Sequence, residues 1–393
     1  MAVAFIQEPT SPNGSQSTII YVTDNISVSP QAKYICDVKI SGSYDTLVRI
    51  KQPANNSGFG VFELSEILHD YTDYDNEWTT DSIIASTNDN TKTFSIEFGE
   101  EYGTSISSSL TVNPSQITSS LVVYPAVTEL TEGFNWNSGS YYSDFLSNSP
   151  STLYIKPSEY STVSHMNILD SNPSGVTVTV YDSSDSQLAT KTLTNSIATG
   201  SEESKLIHIP SGPQNFKDDA TLNILTGSTW EYYTVTANSS LGSKTYYRLD
   251  DCIGQNGTHF AFINKLGVYD YYTATLTKTE QENYNTETYE QTFIDFSTTT
   301  GAINFDKSRR GTTIYNKTTD VLYSAQTDWL TTTQADWLME LFQSPSVYIQ
   351  DGDNFLPVII TNSTVDKKTN PRGQKLFTFR IEYKLANPRK ARR

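Results

Sequence analysis

Apolar and polar residues alternate in short runs along most of the chain. In KTFSIEFGEEYG, residues 92–103, Phe94, Ile96 and Phe98 fall on one face, and Thr93, Ser95 and Glu97 on the other. A period of two built from β-branched and aromatic residues predicts half-buried strands. The same pattern marks residues 19–23, 33–40 and 46–52, with turn formers at Gly42 and at residues 55–58 between them. VFELSEILHDY, residues 61–71, departs from it. Leu64, Ile67, Leu68 and Tyr71 share a face at helical spacing, which predicts a short helix or helical turn. Residues 1–115 thus read as a small β domain with one helical connection.

A second region, residues 116–245, carries strand-like runs at 121–127, 176–183, 220–225 and 232–237. Segments rich in Ser, Pro and Asn separate them, which suits a β-sandwich-like domain. The third region, residues 246–393, holds the best helix, predicted over 333–343. There Trp337, Leu338, Leu341 and Phe342 form an apolar face, Thr333 is placed to cap, and Pro345 stops the helix. SVYIQ and FLPVIIT flank Asp351 and Asp353, hairpin-turn residues. KLFTFRIEYKL, residues 375–385, reads as a last strand with Phe377, Phe379, Ile381, Tyr383 and Leu385 facing inward. The fold class is mainly β: several antiparallel β-sandwich-like domains with short connecting helices.

Composition sharpens this picture. The 393 residues include 25 Tyr, 17 Phe and 5 Trp, an aromatic excess that suits strands and large contact surfaces. The formal net charge of −17 argues against general nucleic-acid binding. The charge is uneven. Residues 365–393 hold ten basic and two acidic residues, a net of +8, so the other 364 residues carry −25. The two cysteines, Cys36 and Cys252, form neither a disulfide framework nor a metal cluster in sequence. The opening segment has no basic, apolar leader, and no run is long enough to span a membrane. These features predict a soluble chain made in a cytoplasm.

Candidate chemistry is sparse. His69, His165, His208 and His259 stand at no metal-ligand spacing. HDYTDYDNE, with Asp70, Asp73, Asp75 and Glu77, lacks the glycine of a calcium loop at the sixth position and reads as a solvated acidic loop. Glu129 and Glu132 lie near Phe134, Trp136, Tyr141 and Tyr142, a mixture that suits either a glycan surface or a Tyr-rich protein interface. No catalytic, cofactor-binding or metal residues are assigned, and no enzyme activity is expected. The assigned interface residues are Trp136, Tyr141 and Tyr142, with Arg389, Lys390, Arg392 and Arg393 of the basic tail.

Three stretches carry a resemblance. In CIGQNGTHFAFINKLGVYDYYTATLT, residues 252–277, an aromatic strand runs into Asn264, Lys265 and Gly267, then into Tyr269, Tyr271 and Tyr272. A second stretch, from DWLTTTQADWLMELFQSP to the final FRIEYKLANPRK, follows a helix, strand, acidic turn, strand and strand order. Together with RIKQPANNSGFGVFELSEILHDYT at residues 49–72, they resemble virion structural proteins of tailed bacteriophages or prophages of Bacteroidota-like hosts. The resemblance implies a tail, neck, collar or baseplate ring subunit that works through protein–protein assembly in the virion. Its partners would be copies of itself and other virion subunits, without a cofactor or membrane insertion. The alternatives are a receptor- or glycan-binding tail protein, with a host-surface glycan as partner, and a polysaccharide depolymerase.

Overall fold

The computed structural model describes residues 2–74, 77–87, 90–127, 145–167, 174–198, 203–238, 242–249, 257–292, 294–305, 308, 311–362, 364–365 and 376–387. Within them the chain is mainly β, in several sheets joined by a few short helices. Contacts divide it into two compact units. One comprises Met1–Asp251, Ala261–Tyr272 and Thr333–Pro345; the other comprises Cys252–Phe260, Thr273–Thr332 and Ser346–Arg393. Neither is continuous in sequence.

In the first unit, Lys92–Gly103 is one strand, and Phe94, Ile96 and Phe98 on its apolar face are fully buried. It lies in a five-stranded sheet in the order Asn13–Gly14, Leu110–Tyr124, Lys92–Gly103, Lys33–Ile40, Val48–Gln52. A three-stranded sheet of Ala4–Gln7, Ile20–Asp24 and Gly60–Glu63 adds Tyr21 and Phe62 to the same core. The Phe98 ring meets those of Phe5, Tyr21 and Phe62 at centroid distances of 5.2, 5.0 and 5.5 Å. The opposite face of the larger sheet is bound by charge. Arg49 Nε and Nη2 each donate at 2.6 Å to the buried Asp37 carboxylate, and Lys39 Nζ donates to Glu97 at 2.8 Å. Segment 61–71 divides into the end of a strand and the helix Ser65–His69, which buries Leu68.

Strand Leu110–Tyr124 runs through residue 115, where the sequence pattern suggests a domain edge. Its ladder with Lys92–Gly103 shifts between Phe98 and Glu100, and Pro114, which has no N–H to donate, sits at that shift.

The rest of this unit has a five-stranded sheet in the order Thr152–Ile155, Ser243–Arg248, Tyr232–Ala237, Gly175–Tyr181, Gln187–Thr194. A three-stranded sheet, Thr162–Met166, Leu206–Pro210 and Ile84–Ala85, contributes Val163, Ile207 and Ile209 to the same core, with Trp230 and Phe216. Residues 220–225, which read as a strand, instead lead into a 3-10 turn at Asn223–Thr226. Asp219 Oδ1 accepts from the N–H groups of Thr221 and Leu222 at 2.8 and 2.9 Å. That Asx geometry curls the chain and still buries Leu222 and Leu225.

The helix Thr332–Gln343 starts one residue before the expected 333, so Thr333 lies in its first turn rather than ahead of it. It buries Ala335, Trp337, Leu338 and Leu341, while Phe342 is half-buried. The Asn–Lys–Gly stretch beside it is a built turn. Asn264 Oδ1 accepts from Leu266 N at 2.9 Å and Val268 N at 3.3 Å, and its Nδ2 donates to Leu146 O at 2.9 Å. Gly267 takes φ +77, and a Cβ there would stand 2.5 Å from Pro125 O, so only glycine fits. Tyr269 packs on Trp78, and the Tyr271 hydroxyl meets Thr162 Oγ1 at 2.7 Å.

In the second unit five strands lie side by side in the order Val347–Asp351, Asn354–Ile360, Arg380–Leu385, Thr312–Gln326, Lys278–Glu290. Asp351 and Asp353 flank Gly352, φ +62, at the expected hairpin turn. The last strand begins at Arg380 rather than 375, because Phe379 N donates to the Thr327 hydroxyl at 2.9 Å and Phe377 makes a single bridge to Leu330. Phe377, Phe379, Ile381 and Tyr383 are buried as their alternation requires; Leu385 is only half-buried.

Candidate functional site

The feature that the hydrophobic pattern does not announce is a long β-ribbon. The outgoing strand Lys278–Glu290 pairs antiparallel with the returning strand Thr312–Gln326, from Lys278 opposite Ala325 to Glu290 opposite Thr312. Thirteen residues at ~3.4 Å each give a ribbon of about 40 Å. Every residue of the outgoing strand is exposed. The strand Arg380–Leu385 pairs with the returning strand at Tyr323–Gln326. Among the described residues, the stretch from Thr312 to Leu322 pairs with the outgoing strand alone. An isolated two-stranded ribbon is marginal in water.

Side chains along the ribbon tie its two strands together. The Tyr323 hydroxyl donates to Glu280 at 3.5 Å, and Asn316 Nδ2 donates to Glu287 at 3.0 Å. Thr279 and Ser324 share a hydrogen bond of 2.6 Å. Lys317 Nζ lies 4.7 Å from the Tyr284 ring centroid. The Tyr284 hydroxyl donates to Glu282. Hydrogen bonds to Glu282 and Glu287 push the Tyr284 and Tyr315 hydroxyls above their ordinary range, so both stay neutral donors.

Beyond the ribbon, Ile294–Phe296 and Ile303–Phe305 form a small hairpin. Phe296 opposes Ile303, and Ile294 lies two residues before Phe296, so these three residues share one face. Ile294, Phe296 and Ile303 are 46%, 61% and 70% exposed. An apolar face this open, on the end of a polar ribbon, has the chemistry of a contact surface.

A second aromatic array lies in the first unit. Tyr181, Tyr232, Tyr247 and Tyr154 sit directly opposite one another across four strands. Successive ring centroids are 4.8, 5.3 and 5.9 Å apart, with interplanar angles of 16°, 31° and 37°. Their faces are turned toward one another, whereas stacking on a sugar needs open faces. The array works as a cross-strand ladder that stiffens the sheet.

The assigned interface residues Trp136, Tyr141, Tyr142, Arg389, Lys390, Arg392 and Arg393 lie outside the described residues, as do Glu129, Glu132 and Phe134. The histidines are drawn into local hydrogen bonds: His208 Nδ1 with Ser164 Oγ at 2.8 Å, His259 Nδ1 with Thr273 Oγ1 at 2.8 Å, His165 Nδ1 with Met166 O at 2.6 Å, and His69 Nδ1 with Ser15 Oγ at 3.4 Å. Asp70, Asp73 and Glu77 are exposed, and Asp73 Oδ1 accepts from Tyr74 N at 2.7 Å. Among the described residues, no group of three His, Cys, Asp or Glu side chains could hold a metal ion. Cys36 is buried, and burial pushes its thiol up, away from nucleophilic use.

Sequence reasoning missed a pair of acids beside the long helix, Asp270 buried and Glu340 half-buried. Asp270 accepts from Trp337 Nε1 at 2.7 Å. Glu340 accepts from Lys265 N at 2.9 Å and Asn148 Nδ2 at 3.1 Å. Burial raises both carboxyls above their ordinary range, and the Asp270 charge adds to the rise at Glu340. An open cleft of about 440 Å³ borders Glu340, with Asp336, Lys265 and Asn148 among its lining residues. Glu340 is held there by the Lys265 and Asn148 bonds, which anchor the helix to neighbouring loops.

No family model and no curated protein matches this chain. Among solved structures, a calcium-stabilised adhesin that helps an Antarctic bacterium reach out and bind ice is similar at 8% identity and a TM-score of 0.18. That alignment covers 69% of this chain and 62% of the adhesin chain. A 1.5-MDa bacterial ice-binding adhesin, studied for host cell surface retention, aligns at 10% identity and a TM-score of 0.16, covering 69% and 83% of the two chains. Scores this low carry no argument about fold or function.

Proposed function

We propose that the chain is a structural subunit that works by protein–protein assembly, of the phage tail, neck or baseplate ring kind that its two ends resemble. The observation that carries the reading is the β-ribbon with its open apolar tip. A fold that displays Ile294, Phe296 and Ile303 on a polar arm places them where a neighbouring subunit can bury them. The aromatic excess of the chain supports the same reading. The arm joins subunits, and the sheets behind it hold the arm in position.

The test is a triple substitution, Ile294→Ser, Phe296→Ser and Ile303→Ser. These side chains are exposed, so the thermal midpoint should stay close to that of the unaltered chain. Sedimentation velocity and mass photometry of both proteins, with electron microscopy of any particles, read assembly. Multi-subunit species for the unaltered chain that vanish in the triple variant support the reading. A variant that assembles as well as the unaltered chain overturns it.

A further inference from the structure

We propose that the sheet carrying the tyrosine ladder binds an uncharged, extended polysaccharide on its outer face, laid across the strands along a row of threonines. The proposal goes beyond the assembly arm and uses none of its residues.

The inner face of this sheet is core: Val176, Val178, Val180, Tyr233 and Val235 are fully buried. Alternation sends the residues between them outward. The register of the strands gathers these into rows. Thr190, Thr179, Thr234, Thr245 and Thr152 lie opposite one another, one on each of the five strands. The tyrosine ladder is the row on one side of them, and Thr192, Thr177, Thr236 and Ser243 form the row on the other. Every side chain in the three rows carries a hydroxyl and none carries a charge, in a chain of net charge −17. All are exposed or half-buried, so the face is open to solvent.

Some of these hydroxyls are engaged within the sheet. Thr179 and Thr190 share a hydrogen bond of 3.2 Å, Thr177 and Thr192 one of 3.0 Å, and Thr236 and Ser243 one of 2.9 Å. Thr234, Thr245 and Thr152, on three adjacent strands, make no side-chain hydrogen bond among the described residues. Their hydroxyls are left for an outside partner. Each threonine sets a methyl group beside its hydroxyl, which matches the mixed C–H and O–H surface of a sugar ring. Neighbouring strands lie ~4.8 Å apart, close to the length of one pyranose unit in an extended chain, so a chain following the row meets one threonine per sugar. Charge narrows the partner. The rows hold no Lys or Arg, so a phosphate or sulfate polymer finds no counter-charge there, and the net charge of the chain repels it. A protein partner is held by anchors such as Trp and Arg, which the rows lack, and the tyrosine rings already face one another. An uncharged polyhydroxyl chain meets the face hydroxyl to hydroxyl, without ring stacking.

The full chain is run through native gels containing hydroxyethylcellulose or glucomannan, both uncharged, or carboxymethylcellulose, which carries carboxylates. The expected result is retardation by the uncharged polymers and about fivefold weaker retardation by the charged one. Each neutral hydrogen bond contributes little alone, so cellohexaose should compete about tenfold better than cellobiose. Thr152→Val, Thr234→Val and Thr245→Val combined remove three hydroxyls, keep the β-branched shape, and should weaken retardation about fivefold. Ser at the same three positions keeps the hydroxyls and should keep the binding. Thermal midpoints check that both variants fold. An unaltered chain that neither uncharged polymer retards, equal retardation by carboxymethylcellulose, or a valine variant that binds as well as the unaltered chain overturns the proposal. Should the valine variant fail to fold, the oligosaccharides decide on the unaltered chain, and competition that does not improve with length overturns it. The tip variant should be retarded like the unaltered chain, and the valine variant should assemble like it, so failure of this proposal leaves the assembly arm standing.

Discussion

Trp337 Nε1 donates a 2.7 Å hydrogen bond to Asp270 Oδ2, and both side chains are buried. The bond ties the long helix to the aromatic strand that ends the Asn–Lys–Gly turn. It also favours the charged carboxylate against burial, which holds Asp270 above its ordinary value of 3.8. Glu340, one turn along the helix, is held above 4.5 mainly by burial.

Raised carboxyl pKa values make the folded chain bind more protons than the unfolded one. Stability is then greatest below the ordinary values and falls as pH rises through the raised ones. Trp337→Phe keeps an aromatic ring but removes the donor, so the Asp270 pKa should rise further. The loss of midpoint in Trp337→Phe, relative to the unaltered chain, should grow between about pH 4 and pH 8. Calorimetric scans across that range check it, and a deficit that does not change with pH would refute the role given to this bond.

Phe98 is fully buried among Phe5, Tyr21 and Phe62. Truncation to Ala removes three ring contacts and leaves a cavity between two sheets. Phe98→Ala should destabilise by about 3–5 kcal/mol. Urea unfolding followed by tryptophan fluorescence measures it.

The tyrosine ladder predicts coupling between neighbours. In a double-mutant cycle of Tyr181→Ala and Tyr232→Ala, the interaction energy should be about 0.5–1.5 kcal/mol, given the 4.8 Å stacked geometry. Additive effects would mean that each ring acts alone.

Gly267→Ala meets a double obstacle, a positive φ and the Pro125 carbonyl oxygen 2.5 Å from the new methyl group. It should destabilise by more than ~1 kcal/mol, whereas Gly352→Ala meets the φ penalty but open space. Comparing the two midpoints separates conformational strain from steric contact.

Residues 92–103 and 232–237 were legible as strands because their apolar period is local and one face of each is buried. The long helix was legible for the same reason, at a period near 3.6. The ribbon gave no such signal. Residues on both faces of Lys278–Glu290 meet water, so nothing enforces alternation. Its traces are a run of threonines and tyrosines, and the Thr-Thr-Thr-Gly turn between IDF and INF.

By itself, then, the sequence determined which short segments extend and which face of each seeks a core, because side-chain direction follows backbone period. It also set the charge of each segment. The tertiary structure decided what no local period encodes. Ile84–Ala85 joins a sheet with Leu206–Pro210 from far along the chain, and helix Thr332–Gln343 brings Trp337 to Asp270. Asp219 curls residues that alone would extend. The physical reason is common to the sheet pairing and the helix contact. Strand pairing and buried hydrogen bonds depend on which distant groups arrive together, and they override a local preference worth at most about 1 kcal/mol per residue.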